Sequence, residues 1–121
     1  MSKIEAFEMH AYKRIGRISW KQKMTNEDVL KQLLVKRELR LCIKSRKIQY
    51  YGHLMRHESV IKELYNGVVE GSRGRGKPRT KWSDNIRDWT GRSLVYCQRL
   101  AQDRSQWRAI TANLRTETAP R

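Results

Sequence analysis

The stretch "EGSRGRGKPRTKW", residues 70–82, sets five cations at alternate positions: Arg73, Arg75, Lys77, Arg79 and Lys81. Three glycines and one proline are interleaved with them. A backbone without Cβ atoms can lie close against a polyanion, and Arg and Lys displace the counterions condensed on phosphate. A second basic set lies upstream. Between positions 36 and 49 stand six basic residues (Lys36, Arg37, Arg40, Lys44, Arg46 and Lys47) and one acid, Glu38. A solvated helix stabilised by its own ion pairs carries Glu four residues before Lys, and this segment has no such pair. Arg40, Lys44, Arg46, Lys47 and Arg56, with the cations of 73–81, are therefore expected to contact nucleic-acid phosphate, and His53 is a further candidate. The plainer readings are a solvated helix face upstream, and a linker or nuclear address at 73–81.

Other chemistries find less support. His53 and His57 stand four apart, the spacing of a metal pair on one helix face, and Cys42 or Cys97 would have to complete a zinc site. The tight Cys pair of closed structural sites is missing. The expectation is no metal, with His53 packed or hydrogen-bonded beside Tyr50 or Trp82. Two isolated cysteines read as reduced thiols. No GxSxG element, P-loop or dinucleotide fingerprint occurs, and the acids Asp28, Asp84, Asp88 and Asp103 are scattered through helical patterns. Two-metal chemistry needs carboxylates close enough to hold ions ~4 Å apart. No catalytic residue, cofactor or small-molecule substrate is expected in this chain.

Composition agrees with a phosphate partner. The 121 residues hold 27 Lys and Arg against 12 Asp and Glu, a formal charge of +15. Such an excess opposes compaction by self-repulsion; nucleic acid would relieve it. Only 38% of residues are hydrophobic and 32% are charged, so the core is modest. No apolar run approaches the ~20 residues of a membrane helix, and "MSKIEAFEMHAYKRI" is too polar for a secretory signal. An intracellular protein, nuclear or cytoplasmic, with no membrane partner is expected.

The elements that must position these side chains are helical. Ile4, Phe7, Ala11, Ile15 and Ile18 recur at helical spacing over 3–18. Thr25 can cap a helix over 26–35, with Glu27 and Asp28 in its first turn. The longest pattern covers 37–57, where Gly52 marks a kink or a close helix crossing. Tyr50 and Tyr51 are neighbours, so only one of them enters a core; the other is a stacking candidate. Helices are further expected over 60–66, 80–90 and 93–114, with Asp103 a point at which the last could divide. "VVEG" reads as briefly extended, 70–80 as a basic loop and 116–121 as a frayed tail. The sum is a single all-α domain, a small bundle of five or six helices. Its expected core is Phe7, Ile15, Leu34, Leu41, Ile48, Leu64, Trp82, Ile86, Trp89, Leu100 and Trp107.

Three segments occur in an order that carries further meaning: "SRKIQYYGHLMRHE", "VVEGSRGRGKPRTKWSDNIRDWTG" and "AQDRSQWRAI". Together they resemble the extreme C-terminal region of endonuclease–reverse transcriptases of non-LTR retrotransposons. That region has a basic helix ending in an aromatic–Gly–His–hydrophobic–x–Arg element, then GxRxRGRPRxxW, then a terminal DRxxWR. "ISWKQKMTNEDVL" is similar to the segment before it, so the resemblance covers about residues 4–114. It implies a nucleic-acid-binding region that holds template RNA or target DNA beside an RNA-directed DNA polymerase. The paired aspartates of that polymerase and the separate endonuclease are not in this sequence, so no activity is expected here. A domesticated or freestanding basic protein binding RNA or chromatin is the alternative. Arg75-Gly76-Lys77-Pro78 is also similar to the Arg-Gly-Arg-Pro core of an AT-hook. Lys77 keeps the charge but lacks the planar guanidinium fork, which favours backbone holding over A·T readout.

Overall fold

The computed structural model describes residues 2–66, 74–78 and 80–116, and every regular element among them is helical. The chain is all-α. In order, α1 is Ser2–Ile15, α2 Asn26–Leu33, α3 Leu39–Arg56, α4 Val60–Asn66, α5 Asp84–Thr90, α6 Leu94–Gln102 and α7 Arg104–Thr116. A 3-10 turn at Trp20–Gln22 lies in what the sequence reads as plain connection. Of the expectations, the extended "VVEG" lies outside the described residues, as does the 116–121 tail after Thr116, which is helical and ends α7. The described residues divide into two compact units, Met1–Ile43 and Lys44–Arg121.

In the first unit α1 packs against α2, burying Met9 and Val29. Thr25 starts α2 with a reciprocal cap: its hydroxyl accepts from the Asp28 amide at 3.2 Å, and the Asp28 carboxylate accepts from the Thr25 amide at 3.3 Å. The hydrogen bond from the Thr25 hydroxyl holds the Asp28 carboxyl below the usual range. Leu34 ends α2 at φ 53°, earlier than the expected boundary at 35. The first turn of α3 is capped from a distance. Glu8, buried on α1, accepts from the amides of Glu38 at 2.9 Å and Leu39 at 3.0 Å, two donors that a helix start would otherwise leave unpaired. Tyr12 approaches the same carboxylate oxygen at 3.2 Å, and burial first, then Glu8, pushes its phenol upward.

The second unit is built round α3. Ile48, Tyr51, Leu54 and Met55 of α3 form a core with Ile86 of α5, Cys97 and Ala101 of α6, and Trp107 of α7. Tyr65, Trp82, Trp89 and Leu100 pack against it half-buried. Asp103 divides the expected 93–114 helix into α6 and α7. Its backbone leaves helical geometry (φ −90°, ψ 109°), and its carboxylate accepts from the amides of Ser105 at 2.8 Å and Gln106 at 3.2 Å. Those bonds lower its pKa, the Ser105 hydroxyl contributing most. The expected helix over 80–90 starts later, at Asp84, and the turn before it is closed by the Lys81 amide donating to the Asp84 carboxylate at 2.7 Å and the Asp84 amide donating to the Lys81 carbonyl at 3.2 Å.

Four expected core residues are exposed. Phe7 lies on the side of α1 opposite its buried Glu8 and Met9, and Ile15 is the last residue of the helix. Leu34, 92% exposed, is the left-handed residue that closes α2, so its side chain leaves the helical stripe. On α4 it is Tyr65, not Leu64, that turns inward, its ring 4.6 Å from that of Trp82.

Candidate nucleic-acid interface

The close helix crossing expected at Gly52 is made by an indole. Trp107 of α7 lies so near α3 that a Cβ on Gly52 would overlap its ring. The Trp107 Nε1 donates to the Ile48 carbonyl at 2.7 Å, which satisfies a donor that is buried with the ring. Tyr51 is fully buried, its ring centroid 5.6 Å from Trp107 and 6.4 Å from Trp82. The aromatic–glycine element, the Trp after the basic loop and the Trp of "DRSQWR" thus meet in one core.

That core fixes which α3 side chains face outward. Tyr50 remains exposed, its ring edge-on to Trp82 at 6.1 Å. His53 lies parallel to Tyr50 at 6.4 Å, and His57 stands 4.4 Å from His53. Arg46 is exposed one turn before Tyr50, so Arg46, Tyr50, His53 and His57 form a single flank at steps of four, three and four. The histidine neighbour is Tyr50, one of the two expected. Among the described residues no three His, Cys, Asp or Glu converge as metal ligands; Cys42 is half-buried and Cys97 buried.

The other predicted cations have different surroundings. Lys47 sits over the Trp82 ring at 4.6 Å and near Trp89 at 5.4 Å, and burial lowers its pKa. Lys44 lies 5.5 Å from the Trp89 ring. Both therefore border the core instead of sharing the outward face with Arg46, as the sequence reading had them. A cation over an aromatic face is stabilised by the ring quadrupole, and these two shield the indoles while keeping their charge at the surface. In the first unit Arg40 pairs with Glu5 at 2.9 Å. Arg56 donates to the Ala101 carbonyl at 2.9 Å, while Gln102 donates to the Met55 carbonyl at 3.0 Å. Each side chain thus satisfies a carbonyl near the end of the other helix, α6 or α3, so Arg56 has a structural task that charge counting does not reveal.

The described part of the basic stretch, 74–78 and 80–81, is exposed and lies outside the helices. Arg75, Lys77 and Lys81 are exposed, and no carboxylate among the described residues pairs with them or with Arg46. Gly76 takes φ 126°, a region that L side chains rarely adopt. Arg73 and Arg79 lie outside the described residues. Through Lys81 the loop runs directly into Trp82, and Trp82 lies against Lys47, Tyr50, Tyr51 and Tyr65. The indole is therefore the anchor that ties the loop to α3 beside the Arg46–Tyr50–His53 flank. Comparison with models of known families, with curated proteins and with solved structures found no match. No helix among the described residues is long and apolar enough to cross a membrane.

Proposed function

We propose that this chain is a nucleic-acid-binding region, holding RNA or DNA mainly through backbone phosphates, of the kind found at the C-terminus of non-LTR retrotransposon reverse transcriptases. The observation that carries the reading is one juxtaposition. Trp82 joins the exposed cations Arg75, Lys77 and Lys81, which have no ion-pair partner among the described residues, to a helix flank on which a cation, Arg46, precedes the exposed rings of Tyr50 and His53. Cations that track a backbone, interleaved with rings on which bases stack, are the two parts of a single-strand binding surface. Phosphate contacts of this kind position a strand without reading its sequence.

The test is binding of the full chain to labelled 20-nucleotide single-stranded RNA and DNA and to duplex DNA, by fluorescence anisotropy between 50 and 200 mM salt. Four to six phosphate contacts predict a roughly 10²–10³-fold loss of affinity across that range. Replacing Arg75, Lys77 and Lys81 by Gln weakens unrelated sequences about equally, and Tyr50→Ala weakens single strands more than duplex. Flat salt dependence would refute the reading, and a loss confined to one sequence would replace it with base readout.

A further inference from the structure

The "DRSQWR" element keeps two residues that the fold does not use. Asp103 caps α7 and Trp107 packs on Gly52. Arg104 and Arg108 do neither. They stand four apart on α7, exposed, with no carboxylate partner among the described residues. Both border a cleft of about 480 Å³ between α7 and α3, which Arg56 also lines. That volume lies within the ~300–1,000 Å³ of ligand clefts and exceeds what a lone ion needs.

The walls are polar as well as cationic. Ser45 is buried on α3, its hydroxyl within 3.4 Å of the Gln49 amide nitrogen, and both residues line the cleft. Thr111 lines it from α7, donating to the Trp107 carbonyl at 3.0 Å. The nearest acid in sequence, Asp103, has its carboxylate engaged by the Ser105 and Gln106 amides. Three arginines therefore line one concavity with no carboxylate in its lining, Arg56 with one guanidinium nitrogen already on the Ala101 carbonyl. Guanidinium is the side chain best matched to phosphate oxygens, through paired N–H donors. Ser45 and Gln49 precede Arg46 and Tyr50 by one residue each, which turns this cleft about 100° round α3 from the proposed strand surface.

We propose that the Arg56–Arg104–Arg108 cleft is a second phosphate site, taking one phosphate of a nucleic-acid backbone with its attached sugar. This rests on the nucleic-acid reading above. It adds a contact on a separate flank of α3, so that a strand held at Tyr50 and the loop continues to α7, or a second strand is held there.

The experiment compares the full-length protein with the R104Q/R108Q variant, whose changes lie on exposed positions, and with the variant that has Gln at positions 75, 77 and 81. Far-ultraviolet circular dichroism and thermal melting establish that each is folded. Against a single-stranded 20-mer, R104Q/R108Q is expected to weaken binding roughly tenfold at 100 mM salt and to flatten the log–log salt slope by between one and two. Combined with the loop changes, its effect adds. A second arm titrates the protein with inorganic phosphate against matched chloride and follows nitrogen–proton spectra. Shifts concentrated at the Trp107 indole and the Ser45 and Thr111 amides, and absent in R104Q/R108Q, support the site. Unchanged affinity and slope in R104Q/R108Q, with the loop variant still impaired, overturn the cleft and leave the loop reading standing. Phosphate shifts spread over all basic residues, unaltered in the variant, also overturn it. No binding of any oligonucleotide by the unmodified protein at 50 mM salt overturns both.

Discussion

Replacing Gly52 by Ala tests the packing that organises the second unit, because two effects of opposite sign compete there. Gly in the middle of a helix costs about 1 kcal/mol relative to Ala, so propensity alone predicts that G52A stabilises. The structure predicts the reverse. The new Cβ would overlap the Trp107 ring, a flat buried group held by its bond to the Ile48 carbonyl. Overpacking of this kind costs about 1–3 kcal/mol. Pushing the indole off Ile48 strands a buried donor, at a further cost of about 1–3 kcal/mol. After subtracting the propensity gain, G52A should lose about 1–5 kcal/mol, and the middle of that range is a fall in Tm of roughly 10–25 °C for a unit of this size. Urea unfolding followed by tryptophan fluorescence and by far-ultraviolet circular dichroism measures it. A second arm repeats the change in a Trp107→Ala background, with an osmolyte present if folding needs support. There the obstacle is gone and G52A should gain about 1 kcal/mol, so the sign inverts. G52A at or above the stability of the unmodified protein, or the same sign in both backgrounds, would refute the reasoning.

Two further outcomes follow from buried polar groups. The Tyr51 hydroxyl is buried with no hydrogen-bond partner among the described residues, and burial pushes its pKa from 10.0 up to about 12. The unfolded chain gives up this proton first, so stability falls as pH rises from about 10 to about 12, by about 2–3 kcal/mol. Tyr51→Phe should be neutral or slightly stabilising at pH 7 and lose that alkaline decline, which denaturant titrations of both proteins at pH 8, 10 and 12 would show; parallel pH profiles would count against it. Glu8→Ala removes the acceptor that caps α3 and should cost about 1–3 kcal/mol locally, whereas Glu8→Gln keeps a carbonyl oxygen and should cost less. Amide exchange at Glu38 and Leu39 reports it, and unchanged protection in Glu8→Ala would show that the cap is idle.

The helical class and the positions of most helices were legible because each rests on local spacing: apolar residues at three- and four-residue steps, and caps. Helix ends were less legible. Asp84 and Asp103 accept from backbone amides close by in sequence, and spacing alone does not say which of the competing capping patterns the backbone adopts. The expected face of Arg40, Lys44, Arg46 and Lys47 separates in the structure. Lys44 and Lys47 lie over indoles, Arg40 pairs with Glu5, and Arg46 stays open. Helical periodicity puts a residue on a face but does not say where an aromatic ring from another helix will meet it. Arg104 and Arg108 were missed because they interrupt an apolar stripe singly; their signal was the position flanking Trp107.

By itself, then, the sequence determined that the chain is helical, strongly basic and equipped with a glycine-rich cationic stretch, since these depend on composition and short-range pattern. Tertiary structure decided which of two adjacent tyrosines is buried, why Gly52 is glycine, and which cations are engaged and which are open to a ligand. Those outcomes depend on contacts such as Trp107 on Gly52 and Arg56 on Ala101, dozens of residues apart in the chain. The pairing of such distant positions is fixed by the shape of the packed core, not by any spacing along the sequence.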